Sequence, residues 1–339
     1  MHKVAVFFHY FEINEVYKEN LIFFLSAAYR QELNFFIIIS GACTVDLPNY
    51  DNVKYVYTEN KNNDFGGYSA VLSNFNRIDD YSFFIFVNSS VRGPFVPSGY
   101  DGCWTELFTS KIKDETHLVG SSINILPNNS PYAQKFKLDF GYTQPYSHVQ
   151  TTAYALSLSA IKHLIKIGFY NGAESLNKED VICKYELRLS QEIKRNGMNI
   201  GCLLIGYNGI DYRLPHQEIN FSSWNGDPLC KGGYFGRTAR PSELVFVKTN
   251  RNLISRYQLY WYTYFTLLSI EQLEIQRWIE FKALKNQCVL RVTKRLTTNL
   301  QALTIRNVKY CNSQGVRAKP IELSEVGREK LQMIIDQRM

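Results

Sequence analysis

The sequence lacks most of the features that mark specialised classes of protein. Its seven cysteines are scattered with no Cys-x-x-Cys pair, so neither a zinc site nor a disulfide framework is indicated. No apolar run approaches the roughly 18 residues that a membrane-spanning helix needs. Neither G-x-G-x-x-G nor a P-loop occurs, which argues against a Rossmann dehydrogenase or an NTPase. No signal-peptide pattern precedes the first strand, and we expect a cytoplasmic protein with reduced thiols.

The composition is that of a chain with a sizeable folded core. Of its 339 residues, 45% are hydrophobic and 20% are charged, which excludes a disordered chain and a small disulfide scaffold. The net charge of +7 is spread along the chain, which favours anionic ligands over a nucleic-acid partner. The 23 Tyr and 22 Phe fit either an aromatic core or surfaces that stack on bases and sugars, and we favour the core.

The first 90 residues alternate between patterns of buried strands and amphipathic helices. Strands are predicted over 4–9, 35–40, 53–57 and 83–87, and helices over 14–30 and 64–76. This order predicts an α/β fold with a mainly parallel sheet flanked by helices. Ligands of such sheets bind at the carboxyl ends of the strands.

The remainder of the chain is less regular. Residues 92–149 are predicted to be loop-dominated with one strand over 117–121, and helices are predicted over 151–167 and 178–196. A strand over 198–205, a turn-rich stretch and the longest helical pattern, 255–281, follow. We therefore predict an α/β domain over 1–250 and a helical, basic C-terminal extension over 251–339.

Two predicted turns at strand ends carry polar residues. In the first, Asn63-Asp64-Phe65-Gly66-Gly67, the two glycines allow a ligand to approach the backbone, and the free N–H groups at the helix N-terminus favour an anion. The alternative is a plain turn in which Asp64 caps the helix. In the second, Asn88, Ser89 and Ser90 end a hydrophobic strand. That position suits a ligand, although the same side chains can also satisfy the backbone groups of a turn.

Seven stretches of the sequence, in their order and spacing, resemble GT-A-fold nucleotide-sugar glycosyltransferases. Within that fold, they are similar to a bacterial and viral group of polysaccharide enzymes related to rhamnan-synthesis enzymes. They are VAVFFHYFE (4–12), NDFGGYSAVL (63–72), FFIFVNSSVRGPF (83–95), HLVGSSIN (117–124), HVQTTAYALS (148–157), YELRLSQEIKRNGMNI (185–200) and ELVFVKTNR (243–251). The resemblance implies a hexosyl- or deoxyhexosyltransferase whose catalytic domain, 1–250, moves a sugar from a nucleotide-diphosphate donor to a growing glycan. A non-catalytic relative that binds nucleotides or sugars is the alternative.

The resemblance places the donor at the strand ends, with stacking on Tyr10 or Phe11. The expected donor contacts are His9, Tyr10, Phe11, Asn63, Asp64, Gly66, Asn88, Ser89, Ser90, Lys248 and Arg251. Enzymes of this fold usually present Asp-x-Asp after the fourth strand to hold Mg²⁺ or Mn²⁺, but Asn88-Ser89-Ser90 occupies that place here. We therefore expect Arg92, Lys248 and Arg251 to replace the metal against the diphosphate, and we do not expect Mg²⁺ or Mn²⁺ to be required.

The resemblance also suggests a general base and acceptor contacts in the second half of the domain. Glu186 or Asp180 would take the proton of the acceptor hydroxyl. The alternative is that Asp180 is a first-turn acid favoured by the helix dipole and that Glu186 pairs with a cation. His148 and Thr151 are expected beside the acceptor sugar, although a buried, satisfied histidine is an equally good interpretation of His148.

The segment 255–300 is aromatic and then basic. Such a segment can lie on an anionic membrane surface, where a lipid-linked acceptor would be found. We favour the alternative, a helix packed on the catalytic domain or on the partner chain of a homodimer.

Overall fold

The computed structural model describes residues 3–142, 144–172 and 175–295. The strands are β1 (Val4–Tyr10), β2 (Asn34–Ser40), β3 (Val53–Thr58), β4 (Phe83–Asn88), β5 (Val91–Arg92), β6 (Thr116–Gly120), β7 (Ile123–Leu126), β8 (Tyr146–Val149), β9 (Ala153–Ser157), β10 (Asn199–Cys202) and β11 (Val247–Lys248). The α-helices are α1 (Glu15–Ala27), α2 (Asn63–Leu72), α3 (Glu106–Thr109), α4 (Pro131–Phe140), α5 (Leu158–Lys166), α6 (Lys178–Val181), α7 (Arg188–Arg195), α8 (Pro241–Leu244), α9 (Arg256–Leu268) and α10 (Leu273–Arg277). A π-helical segment, Ile182–Leu187, joins α6 to α7, and a further helix occupies 279–295.

A seven-stranded sheet in the order β10-β6-β9-β4-β1-β2-β3 organises the fold. β1 pairs in parallel with β2 and β4, β3 continues the parallel run, and β10 pairs in parallel with β6. β9 lies antiparallel between β4 and β6. The predicted fold class, an α/β fold with a mainly parallel sheet flanked by helices, is confirmed.

Aromatic side chains fill the centre of this sheet. All seven residues of β1 are buried, as expected for a central parallel strand covered on both faces. Phe7 lies opposite Phe36 on β2 and Phe86 on β4, and it stacks on each with 5.0 Å between ring centroids. Much of the unusual aromatic content therefore belongs to the core.

The secondary structure predicted from the sequence is wrong over residues 151–157. A helix was predicted there, but the structure has the strand β9, buried between β4 and β6. Alanine and leucine favour helices, but pairing on both edges of a buried strand overrides that weak preference. The section predicted to be loop-dominated also contains a hairpin of β7 and β8 and the helix α4.

One compact unit covers residues 1–285 and so extends past the predicted division at residue 250. The pattern over 255–281 is divided into α9 and α10. On α9, the Tyr260 hydroxyl donates to Glu19 of α1 (3.0 Å), which supports the packed-helix interpretation of this segment. No helix within the described ranges is long and apolar enough to cross a membrane. The predicted extension beyond residue 295 lies outside the described residues.

Candidate active site

The polar side chains at the carboxyl ends of β1 and β2 form hydrogen bonds within the protein. His9 Nε2 lies 2.8 Å from the Ser40 hydroxyl, which lies 2.9 Å from that of Thr58. Burial lowers the pKa of His9 to about 4, so the ring is neutral at pH 7. Tyr10 donates to Glu12 at 2.8 Å. His9 and Tyr10 are thus buried and bonded within the protein, which does not favour the expected direct contact with a nucleotide.

The turn after β4 uses most of its polar atoms internally. Asn88 Oδ1 accepts from the Ser90 amide (3.1 Å) and hydroxyl (2.6 Å), and the Ser89 hydroxyl accepts from the Phe11 amide at 3.3 Å. The remaining amide group, Asn88 Nδ2, donates to Asp64 Oδ2 at 3.0 Å. Asn88, Ser89 and Ser90 therefore shape the turn, and Asn88 also orients the carboxylate of Asp64.

Asp64 lies in the first turn of α2, next to Asn63, which is exposed. Burial raises the pKa of Asp64, and the hydrogen bond from Asn88 opposes that effect. A Cβ at Gly66 would overlap the carbonyl of Lys61. Only glycine fits this close contact between two segments of backbone. The presence of Gly66 therefore gives no support to an anion-binding site at this turn.

A cavity of about 420 Å³ opens between the β7–β8 hairpin, the start of β9, the π-helical segment and the chain after β11. It brings together five of the predicted site residues, which are distant in sequence: His148, Thr151, Glu186, Lys248 and Arg251. Gln150, Lys178 and Asn124 also line it. We refer to it below as the first cavity.

Glu186 is the carboxylate of the first cavity, and it is carried by the π-helical segment. Burial raises the pKa of Glu186 to about 7, and the negative charge of Asp64 adds to the rise. Lys248, Arg251 and Lys178 act in the opposite direction. π-Helical turns are rare and are frequently found at functional sites. A carboxylate with a pKa near neutrality is suited to general acid–base catalysis.

Besides Lys178, the first cavity holds two cations from the region of β11: Lys248, the last residue of that strand, and Arg251, which follows it. Burial lowers the pKa of Lys248, and the neighbouring Arg251 lowers it further. Arg251 pairs with Asp227, whose other oxygen accepts from Gln150 Nε2 at 2.7 Å. The cavity therefore combines one acid of raised pKa with three cations, one of which, Arg251, is oriented by a neighbouring carboxylate.

His148 is a buried, neutral ring in the wall of the first cavity. Burial lowers its pKa to about 4. Its Nδ1 lies 3.3 Å from the Tyr146 carbonyl, which can only accept, so Nδ1 carries the proton. Nε2 is then the acceptor nitrogen. In this tautomer Nε2 can accept a hydrogen bond from a ligand hydroxyl but cannot donate one.

Arg92 does not serve the role that the sequence suggested. Its guanidinium is fully buried, pairs with Glu19 at 2.6 Å and donates to Asn20 Oδ1 at 2.9 Å. It is absent from the lining of the first cavity. Because Arg92 lies on β5 and Glu19 on α1, the pair joins a strand to a helix and is a structural element of the core.

Asp180, the second candidate base, also points elsewhere. Its carboxylate pairs with Lys135 at 2.9 Å, and it does not line the first cavity. Asp180 is therefore held in an ion pair outside the first cavity, whereas Glu186, the other candidate base, lines it.

Sequence reasoning missed Asp227 and Gln150, which position Arg251. The Asn225-Gly226 dipeptide before Asp227 is a turn signal. It marks the turn but not its contact with a side chain 24 positions away. No local pattern carries that information.

The side chains around the first cavity do not suit a divalent cation. No cluster of three or more His, Cys, Asp or Glu that could hold a metal occurs in the described ranges. The two nearby aspartates already accept hydrogen bonds from N–H groups. Asp64 accepts from Asn88, and Asp227 accepts from Gln150 and pairs with Arg251. Mg²⁺ prefers several carboxylate or phosphate oxygens, so we derive no step through a metal.

No family model and no curated protein matches this sequence. Three similar solved structures are the galactosyltransferase LgtC with donor and acceptor sugar analogues, the mannosyltransferase PcManGT from Pyrobaculum calidifontis with GDP-Man and Mn²⁺, and the bifunctional glycosyltransferase WbbM. Their identities are 12%, 11% and 9%, and their TM-scores are 0.29, 0.35 and 0.32. The matches cover 53%, 59% and 54% of this chain and 69%, 54% and 37% of those chains. Structural similarity with identities and TM-scores this low says nothing about the activity of this chain.

Proposed function

We propose that this protein is a glycosyltransferase that moves a sugar from a nucleotide-diphosphate donor to a hydroxyl group of a glycan. The observation that carries the proposal is the first cavity, where Glu186, with a pKa of about 7, faces Lys248 and Arg251. The cavity lies where α/β sheets commonly bind ligands, and the resemblance of the sequence to GT-A enzymes agrees with this chemistry.

In the proposed reaction, Glu186 removes the proton of the acceptor hydroxyl. The acceptor oxygen forms a bond to the anomeric carbon while the bond from that carbon to the diphosphate breaks, and the electron pair leaves with the diphosphate oxygen. A base in this role fits a single displacement with inversion. The proton ends on the Glu186 carboxylate, whose raised pKa makes it a better base than an ordinary glutamate.

Lys248 and Arg251 would stabilise the negative charge that develops on the leaving diphosphate. Fixed cations in a partly buried site act strongly on such charge because little water screens them. This role replaces that of a metal ion and makes the proposed transfer metal-independent. Asp64, next to Asn63, would contact the nucleoside side of the donor, and Phe11 offers an aromatic ring nearby.

Donor hydrolysis tests the proposal. The protein is incubated with UDP-, GDP- and dTDP-sugars, with and without EDTA, and the released nucleotide is measured. We expect slow hydrolysis of at least one donor, reduced in Glu186→Gln. Donor binding without hydrolysis or transfer would instead identify a non-catalytic nucleotide-binding relative, and the absence of binding to every donor would reject both.

A further inference from the structure

A second cavity of about 490 Å³ adjoins the first across the β7–β8 hairpin. It lies between that hairpin and the loop 216–226, and Leu126 lines both cavities. The reacting groups of the proposed transfer, Glu186, Lys248 and Arg251, all lie in the first cavity. The second cavity has no part in that chemistry, and its lining is polar.

The loop beside the second cavity is tied to the wall of the first. Trp224 and Asp227 exchange two backbone hydrogen bonds of 2.9 Å and so form a tight turn. Asp227 is held by Gln150 and Arg251, which line the first cavity. The Gly226 carbonyl accepts from the Ile125 amide of β7 at 3.2 Å. The turn thus has a fixed place between the two cavities.

Large aromatic side chains are exposed on this loop. Trp224 is 73% exposed and Phe221 is 84% exposed, whereas Trp104 and Trp278 are 0% and 8% exposed. Trp224 does not itself line the second cavity, but its neighbours in the sequence, Ser223 and Asn225, both do. Exposed aromatic surface beside a cavity commonly marks a site of binding.

The lining of the second cavity is polar and contains no lysine or arginine among the described residues. Its polar side chains include Asn128, Gln144, His216, Gln217, Glu218 and Ser223. Glu218 Oε1 accepts from the Asn220 amide (2.7 Å), and Ser223 donates to the same side chain. Amides, a carboxylate and a hydroxyl are the partners that sugar hydroxyl groups need. A diphosphate, in contrast, would find no cation here.

We propose that the second cavity is an acceptor subsite that binds neutral sugar units of the glycan, next to the unit that carries the reacting hydroxyl. Trp224 provides the apolar surface on which a sugar ring stacks, and the polar lining accepts its hydroxyl hydrogens. The proposal rests on the proposed function, because only a transferase gives the glycan a reacting end in the first cavity.

The test is binding of the full chain to an array of neutral and acidic glycans. We expect the protein to bind neutral oligosaccharides, and Trp224→Ala to weaken that binding about tenfold, in line with the loss of one aromatic contact. Tyr57→Ala is the matched control, since Tyr57 is 68% exposed on the distant edge strand β3. The best oligosaccharide should also protect the tryptophan fluorescence of the wild type from acrylamide.

Several results would overturn the subsite. They are no glycan bound, equal binding by Trp224→Ala and the wild type, or a preference for acidic glycans. A change in oligomeric state in Trp224→Ala without glycan binding would assign the aromatic surface to a protein contact instead. Calorimetry with the UDP-, GDP- and dTDP-sugars separates the two proposals. Donor binding without glycan binding rejects the subsite alone, whereas Trp224-dependent glycan binding without donor binding or hydrolysis rejects the transferase and the acceptor role.

Discussion

At the scale of single residues, the proposed reaction depends most directly on the carboxylate of Glu186. Glu186→Gln keeps the shape of the side chain but removes the base. We expect turnover to fall by about two to four orders of magnitude with donor affinity nearly unchanged. Asp180→Asn is the control, because Asp180 pairs with Lys135 outside the cavity. Near-normal turnover in Glu186→Gln, with a loss in Asp180→Asn, would reverse the assignment.

The pH dependence of the reaction follows from the same residue. A general base works only when it is deprotonated, and the pKa of Glu186 is about 7. The rate of transfer should therefore rise through neutral pH and fall again at higher pH, where Lys248, whose pKa burial lowers, loses the charge that stabilises the diphosphate. His148 and His9, with pKa values of about 4, are already neutral over this range and do not contribute. A rate that is flat from acidic to alkaline pH would contradict Glu186 as the base.

Glu186 should also cost the protein stability at neutral pH. Its pKa is about 7 in the folded chain, against an ordinary value of 4.5. As the pH rises between these values, the unfolded chain loses the proton first, so folding becomes less favourable. Glu186→Gln should melt about 1–3 °C above the wild type near pH 8 and close to it near pH 4. Thermal melts at both pH values test this, and a lower melting temperature for the variant near pH 8 would contradict it.

At the scale of elements, the Arg92–Glu19 pair connects three parts of the fold. Arg92 lies on β5, Glu19 on α1, and Tyr260 of α9 donates to the same carboxylate. Arg92→Met leaves Glu19 buried without its cation, which should cost about 3–5 kcal/mol of unfolding free energy. Adding Glu19→Leu should recover part of that loss. Arg77→Met, which breaks an exposed pair with Asp80, should leave the free energy of unfolding close to that of the wild type.

Chemical denaturation measures these differences. A fully stable Arg92→Met protein that has lost donor hydrolysis would contradict the structural role and return Arg92 to the active site.

The elements that could be predicted from the sequence are those whose pattern is set locally. The run Val4–Tyr10 is continuously apolar because both faces of β1 are covered. Asn14 caps α1 by accepting from the Val16 amide, a signal that is visible in the sequence. β9 was missed because its strand state depends on partners more than 60 residues away in β4. The π-helical turn at Glu186 likewise has no signature in the sequence.

At the scale of the whole molecule, the candidate site is assembled from segments far apart in the chain. Asp64, His148, Glu186 and Lys248 come from four different elements. The resemblance predicted most of these residues as site residues. It did not distinguish Arg92, which forms a buried ion pair, from the cations that line the cavity. That distinction depends on burial, and Arg92 is fully buried while the side chain of Arg251 is 40% exposed. Sequence alone gives the charge of a residue but not its solvent exposure.

The charge balance of the site leads to the last prediction, that the transfer does not require a metal. Lys248 would stabilise the diphosphate most strongly in the transition state, because the extra charge appears only as the bond breaks. Lys248→Met should therefore lower turnover by about tenfold to a hundredfold, with a smaller loss of donor affinity. The exposed Lys137→Met serves as the control and should behave as the wild type. The wild type should keep its donor hydrolysis in EDTA. Strict dependence on added Mn²⁺ or Mg²⁺, together with a Lys248→Met variant as active as the wild type, would show that a metal and not the lysine carries the charge.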